Sequence, residues 1–371
     1  MDVHDNGAAL APGSVIGILG GGQLGRMLAI AAARLGYRCH IFCPEAGGPA
    51  EQVAFAATHG DYEDDAELDQ FAAQVDAITI EFENIPAATL KHLATQVPVR
   101  PSAAALAVTQ DRLTEKDAVV AAGFGTADYR PVASLEALDA ALAEIAPPAI
   151  LKTRRFGYDG KGQAGIQDAG AAAPAWRAIG EAPAIVEARI DFTMEASVVV
   201  ARGGTGEAVV FGPMWNRHVD HILDTTVIPA PISDAQAAEA VHIGRTLADR
   251  LDIVGILTVE LFVDANGGLL VNEMAPRVHN SGHWTIEACV SDQFEQQIRA
   301  VAGLPLGSAE RHHDAVMKNL IGDDARDWRA LAADPAVHLH LYGKSEIRAG
   351  RKMGHVTRLF PLGSNPDGGK I

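Results

Sequence analysis

Lys152 closes the short apolar run Ala149-Ile150-Leu151 and leads into Arg154-Arg155-Phe156-Gly157-Tyr158-Asp159-Gly160-Lys161-Gly162-Gln163. The chemistry this stretch can do is phosphate handling. Glycines let backbone N–H groups approach an anion closely, and lysine adds a compact charge. No Gly-Lys-Ser/Thr opens a helix here, so it is not a Walker A loop. A mobile surface hairpin is the plain alternative, and Tyr158 and Asp159 at the loop centre weigh against it. Two acids lie downstream inside apolar runs, Glu260 in Thr258-Val259-Glu260-Leu261-Phe262 and Glu273 in Leu270-Val271-Asn272-Glu273-Met274. A buried carboxylate without a partner is expensive. Glu260, Glu273 and the neighbouring Asn272 are hard oxygen donors suited to Mg²⁺, which keeps waters and substrate phosphates in its shell. Two ordinary strand carboxylates are the competing reading.

The segment that follows, Ala275-Pro276-Arg277-Val278-His279-Asn280-Ser281-Gly282-His283-Trp284, mixes turn residues with Arg, His and Asn. Polar loop residues just beyond a metal strand suit substrate contact, while Trp284 reads as core. Arg348-Ala349-Gly350-Arg351-Lys352-Met353-Gly354-His355 is a basic patch in an acidic chain and can grip a phosphate; a solvated face is the alternative. Gly20-Gly21-Gly22-Gln23-Leu24-Gly25 fits G-x-G-x-x-G, with Glu45 about 20 residues on where a ribose-binding acid would stand. By itself it reads as a dinucleotide site. The same turn serves any anion at a helix N-terminus, or simply allows close helix–strand packing, and both readings rank above a dinucleotide.

These residues need elements to hold them. Val15–Leu19, Tyr37–Cys43 and Ala77–Ile80 read as buried strands, with a helix over Leu24–Leu35 between the first two. Strands alternating with helices indicate a doubly wound parallel sheet in roughly the first hundred residues. The middle is α+β, with a long amphipathic helix over Asp234–Leu251 and a hairpin turn at Asp264-Ala265-Asn266-Gly267-Gly268. Beyond His312 two strands are expected, Val316–Leu320 and Val337–Leu341, before a polar, glycine-rich tail. With 371 residues, two or three domains are expected. The net charge of -17 argues against a nucleic-acid binder. Cys39, Cys43 and Cys289 form no CxxC pair, which suits buried thiols in a reducing cytoplasm. No run reaches membrane-spanning length, and residues 1–13 read as a loose tail.

Taken together, Lys152 with GYDGKGQ, the two acids with Asn272, and APRVHNSGHW resemble the ATP-grasp enzymes of the N5-carboxyaminoimidazole ribonucleotide synthase family. GGGQLGRM, Gln110-Asp111-Arg112-Leu113-Thr114-Glu115-Lys116 and GRKMGH match the same family, so the resemblance runs from about Val15 to His355. It implies an ATP-grasp fold over 110–311, preceded by a doubly wound pre-ATP-grasp domain over 14–109. A small β-rich C-terminal domain over 312–371 follows, lacking the final strand–helix segment of the family pattern.

The resemblance implies that ATP phosphorylates bicarbonate to carboxyphosphate, which delivers CO2 to the exocyclic amine of 5-aminoimidazole ribonucleotide without biotin, in a cytoplasmic homodimer of purine biosynthesis. Position by position, it puts Arg112, Lys152, Gly157, Gly160, Gly162, Gln163, His218 and Asn272 at the nucleotide. Glu187, Ala188, Arg189 and Ile190 form the hinge that reads adenine, and Glu195 meets the ribose. Glu260 and Glu273 hold Mg²⁺. Tyr158, Asp159 and Lys161 lie near bicarbonate and the imidazole. Arg277, His279, Asn280, Arg351 and Lys352 hold the ribonucleotide, with Gln23 and Glu81, or else Glu83, facing it from the first domain. Three other readings stand beside this one: a formate-dependent glycinamide ribonucleotide transformylase, an NAD-dependent dehydrogenase, and a non-catalytic nucleotide sensor.

Overall fold

The computed structural model describes residues 9–157 and 160–368. The first unit alternates strands and helices: β1 (Val15–Leu19), α1 (Gln23–Arg34), β2 (Arg38–Cys43), β3 (Ala56–His59), α2 (Asp65–Ala72), β4 (Ala77–Ile80), α3 (Ala87–Leu93) and α4 (Ala103–Thr109). Its sheet has the order β3-β2-β1-β4 and is parallel throughout. β1, β2 and β4 are almost continuously buried because helices cover both faces. The short β3 was not foreseen: its Ala-Ala-Thr-His carries no apolar alternation. The N-terminal stretch expected to be loose is pinned from Leu10 onward. The Leu10 N–H donates to the Ala302 carbonyl at 2.8 Å and its carbonyl accepts from the Tyr37 hydroxyl at 2.9 Å.

α5 (Arg112–Ala121) leads to a four-stranded antiparallel sheet of order β5-β8-β6-β7: β5 (Tyr129–Val132), β6 (Ala149–Thr153), β7 (Gln163–Ile166) and β8 (Ala184–Ala188). α6 (Leu135–Glu144) and α7 (Ala172–Ala178) bury Leu138, Leu142 and Trp176 against it. β6 and β7 are the stem of the glycine loop, which fixes Lys152 opposite Gln163.

The large sheet holds eight strands in the order β13-β12-β9-β10-β11-β14-β16-β15. They are β9 (Phe192–Arg202), β10 (Ala208–Val219), β11 (Ile222–Ile228), β12 (Gly255–Asp264), β13 (Leu269–Ala275), β14 (His313–Ile321), β15 (Val337–Leu341) and β16 (Lys352–Pro361). Along β9, Val198 and Val200 face one core with α8 (Asp234–Arg250), while Val199 and Ala201 face another with α10 (Gln293–Val301). Two covered faces make the strand apolar without alternation. The short α9 (Thr285–Ala288) and α11 (Trp328–Ala333) lie between these strands in sequence. The β-rich C-terminal segment therefore extends the ATP-grasp sheet, through β11 paired with β14. The basic patch is corrected in the same way: only its first half is loop, and from Lys352 it becomes β16, buried from Met353 to Thr357.

α10 joins the first unit to the rest. α1 packs against it, Arg34 pairs with Asp292 at 3.1 Å and Glu295 at 3.4 Å, and Arg100 donates to the Ala300 and Val301 carbonyls, both at 2.9 Å.

Candidate functional site

Glu260 and Glu273 are direct register partners across β12 and β13. The register slips immediately after this pair, because Leu261 faces Val271 and Asn272 is the extra residue of a β-bulge. A bulge re-aims side chains, here gathering an amide beside two carboxylates. Like charges directly opposite each other destabilise a sheet unless a cation lies between them. In this structure each acid has a basic partner of its own: Arg112 Nη1 is 2.9 Å from Glu273 Oε2, and the His279 imidazole Nε2 is 3.2 Å from Glu260 Oε1. Burial alone would raise the Glu273 carboxyl, but the Arg112 guanidinium outweighs it and holds it well below the usual carboxylate range. Asn272 Oδ1 is buried and has no hydrogen-bond partner among the described residues. Two carboxylates and an orphaned amide oxygen make an all-oxygen donor set, which fits Mg²⁺.

Lys152 reaches into the same region. Its Nζ is 2.8 Å from Glu187 Oε2, and Lys116 Nζ is 3.4 Å from the other oxygen of that carboxylate. Glu187 is held low because the two lysines overcome its burial, and Lys152 also acts on Glu273. The root of the glycine loop is pinned to the start of α5. Asp111, its N-cap, takes Arg154 at 2.9 and 2.8 Å and Arg155 at 3.3 Å, and the Arg112 N–H donates to the Arg154 carbonyl at 2.9 Å. Gly157 lies against Arg112, whose Nη2 donates to its carbonyl at 3.4 Å. Gly160, at φ 78°, leaves only 2.8 Å between a would-be Cβ and the Cβ of His221, so the loop rests on the β10–β11 turn. Gly162 and Gln163 close the loop onto β7, and Lys161 stands exposed between Gly160 and Gly162. Tyr158 and Asp159 lie outside the described residues.

Beside this loop a cavity of ≈ 350 Å³ is lined by Ile150, Ala188, Ile190, Phe192 and Phe262 together with Lys152, Glu187 and Arg189. That volume and apolar lining suit a flat heteroaromatic ring. Phe192 and Phe262 stack at 4.6 Å, a pair that strand spacing alone did not reveal. His218 Nδ1 is 2.6 Å from Glu195 Oε2. Burial would lower the His218 pKa, but the bond to Glu195 raises it overall.

Across the acids lies a second group. Arg277 pairs with Glu83, and Glu81 is corrected in role: its carboxylate accepts from the N–H groups of Gly22 at 2.9 Å and Gly25 at 3.2 Å. The glycine turn thus already holds a carboxyl group from its own chain, one whose pKa burial raises despite those two N–H groups. A Cβ on Gly22 would stand 2.7 Å from a Glu81 oxygen, so a pyrophosphate has no place there and the dinucleotide reading fails. Glu83 is the acid that meets Arg277 at the junction with the first unit. Gln23 opens α1 beside that turn. Asn280 is also corrected: it is 9% exposed and exchanges amide hydrogen bonds with Asn319 at 2.9 and 2.5 Å, so it braces the grip from behind. Arg351 Nη1 donates to the Glu346 carbonyl at 2.9 Å, and Lys352 opens β16 as the register partner of Ile321.

Gln293 was invisible to sequence reasoning. It is fully buried; its Oε1 accepts from the His279 N–H at 2.9 Å, and its Nε2 donates to the His279 carbonyl at 2.7 Å and meets His283 Nδ1 at 3.1 Å. It splints the backbone that aims His279 at Glu260. Lys116, buried on α5, was likewise missed as a partner of Glu187.

Three family models match consecutive stretches: a ribonucleotide synthetase preATP-grasp domain over 14–110, an ATP-grasp domain over 117–294, and a phosphoribosylaminoimidazole carboxylase C-terminal domain over 315–361. An N5-carboxyaminoimidazole ribonucleotide synthase of Brucella melitensis is 52% identical over 359 residues, covering 95% of this chain and 98% of its own length. One from Bacillus subtilis is 41% identical, with 93% and 91% covered. An ADP complex of an N5-carboxyaminoimidazole ribonucleotide synthetase superposes with a TM-score of 0.92 at 40% identity, covering 95% of this chain and 94% of that one. An Aspergillus clavatus synthase bound to ADP and 5-aminoimidazole ribonucleotide superposes with a TM-score of 0.88 at 28% identity, covering 94% of each.

Proposed function

The chain belongs to the N5-carboxyaminoimidazole ribonucleotide synthase family of ATP-grasp ligases, and on that footing we propose how its own residues divide the carboxylation of 5-aminoimidazole ribonucleotide between them. It is an ATP-dependent ligase of purine biosynthesis. The adenine enters the cavity at Ile150, Ile190 and Phe192, where the backbone of residues 187–190 reads its edge and Glu195, backed by His218, meets the ribose. Lys152, held in place by Glu187 and Lys116, lies under the phosphates with Arg112. Mg²⁺ bound by Glu260, Glu273 and Asn272 would neutralise charge on the phosphates during transfer.

Bicarbonate attacks the γ-phosphorus and ADP leaves. The resulting carboxyphosphate is labile in water, so it must be kept from solvent while it waits for the amine; Tyr158, Asp159 and Lys161 are the residues assigned to it. Arg277, His279 and the Arg351-Lys352 pair hold the ribonucleotide, with Gln23 facing it from α1. Its exocyclic amine takes the carboxyl group, giving the N5-carboxy product and phosphate. Proximity does most of the work, since the lysine-rich and arginine-rich sides flank one pair of acids.

The observation that carries this reading is the bulged Glu260–Glu273 pair, flanked by Arg112 and Lys152 on one side and His279 on the other. The test is ADP release: it should yield carboxylated product only with bicarbonate and 5-aminoimidazole ribonucleotide together. Turnover with formate and glycinamide ribonucleotide instead would favour the transformylase, and ATP binding with no turnover under any condition would favour a sensor. We also place the enzyme in the cytoplasm, biotin-free and as a homodimer. Among the described residues no helix is long and apolar enough to cross a membrane. Insensitivity to avidin and a dimeric mass by light scattering are the expected results.

A further inference from the structure

At the carboxyl ends of the first sheet, three donors of different softness converge outside the site just described. Cys43 ends β2 and His59 ends β3, and the two are register partners on adjacent parallel strands, so their side chains leave the sheet on the same side. Glu51 comes over from the segment that connects these strands. A Cys43 Sγ, a Glu51 carboxylate oxygen and a His59 ring nitrogen all lie within 4.8 Å of one another, with His59 Nε2 3.6 Å from Glu51 Oε2. The other Glu51 oxygen accepts the Gly48 N–H at 3.0 Å, an outer contact that fixes the carboxylate's direction.

We propose that Cys43, Glu51 and His59 form a binding site for one borderline-soft divalent cation, Zn²⁺ by its chemistry, with water as a fourth ligand. Thiolate, carboxylate and imidazole together suit a tetrahedral Zn²⁺ site and differ from the oxygen-only set at Glu260 and Glu273. Bond lengths of roughly 2.0–2.3 Å put tetrahedral donors about 3.3–3.8 Å apart. The set needs only modest closure, and the His59 side chain, 40% exposed, has room to rotate. Binding expels the thiol proton to solvent, so the cation, one thiolate and one carboxylate leave the site neutral. The metal-free thiol donates to the Glu45 carbonyl at 3.1 Å, a bond it gives up on binding.

The ion would have a mechanical consequence. A Cβ on Gly21 would stand 2.8 Å from Cys43 Sγ, and the Ala50 N–H donates to the Gly21 carbonyl at 3.0 Å. The site therefore clamps the β2–β3 segment to the turn that carries Gln23 and receives Glu81.

The test is titration of the full-length, chelator-stripped protein with Co²⁺, which reports a thiolate ligand by a near-ultraviolet charge-transfer band. One equivalent should saturate the band, and oxygen ligands at the catalytic acids cannot produce it. C43S should abolish it. Losing even an outer-shell partner costs about 10–100-fold in metal affinity, so H59A should weaken binding at least tenfold. E51Q, at a partly exposed position, should weaken it too and guards against a C43S protein that fails to fold. No band after several equivalents, or a band unchanged in both C43S and E51Q, overturns the site.

Discussion

Glu273 faces two cations and a fellow acid, which makes it the most informative single side chain to remove. Glu273→Ala should lower turnover by on the order of a thousandfold, as expected when several kcal/mol of charge stabilisation is lost. The fold should survive, because Arg112 keeps Glu115 and Glu187 nearby. Unchanged circular dichroism with near-normal ADP release would discredit the metal assignment. Gln293 makes a subtler case. Gln293→Leu removes both splints on the His279 backbone and leaves the nucleotide cavity untouched. A positioning error of about 1 Å can cost on the order of a hundredfold. The Michaelis constant for the ribonucleotide should therefore rise about tenfold or more while that for ATP stays within about twofold. Equal changes in both would mean that Gln293 is merely structural.

The glycine loop is only as well placed as its anchor on α5. Asp111 holds Arg154 and Arg155 and caps the helix through the Leu113 N–H at 3.1 Å. Burial would raise its carboxyl, but the Arg154 bond and that N–H bring it below the usual range. A carboxylate depressed in the folded state stabilises above its unfolded pKa of about 3.9, and the contribution is lost as pH falls through the folded value. Asp111→Asn keeps the cap but loses the charge. It should cost about 2 kcal/mol in denaturant melts at pH 7, and the gap to wild type should close below about pH 4; a gap independent of pH would contradict the ion-pair account. The loop itself was legible in the sequence because lysine and glycines between two short apolar runs have few other uses. The acids were legible because Glu260 and Glu273 interrupt otherwise apolar strands. Asp111 and Lys116 were not, since a charged residue on an amphipathic helix looks solvated until a partner from another element is packed against it. β16 was hidden for the opposite reason: arginine, lysine and glycine at its start masked a strand that is buried because β14 and β15 flank it.

Across the whole molecule the site is assembled from three consecutive parts of the chain. Arg277 reaches Glu83 in the first unit, while α10 is fastened there by Arg34 and Arg100. The third part joins through the sheet, which puts Lys352 at the head of β16, opposite Ile321 of β14. Sequence could place each motif within its own segment, but not show that C-terminal strands complete the sheet whose other end carries Glu260 and Glu273. That continuity predicts a division of labour between substrates. Under the proposed assignment, ATP would touch the central sheets and α5, whereas the ribonucleotide phosphate would depend on the far end of the large sheet. Lys352→Ala should therefore raise the Michaelis constant for the ribonucleotide at least about tenfold, the range of a lost charged hydrogen bond, and leave that for ATP nearly unchanged. Steady-state kinetics with each substrate varied in turn decides the matter: equal weakening of both would place Lys352 on the nucleotide, and no change in either would remove it from the cleft.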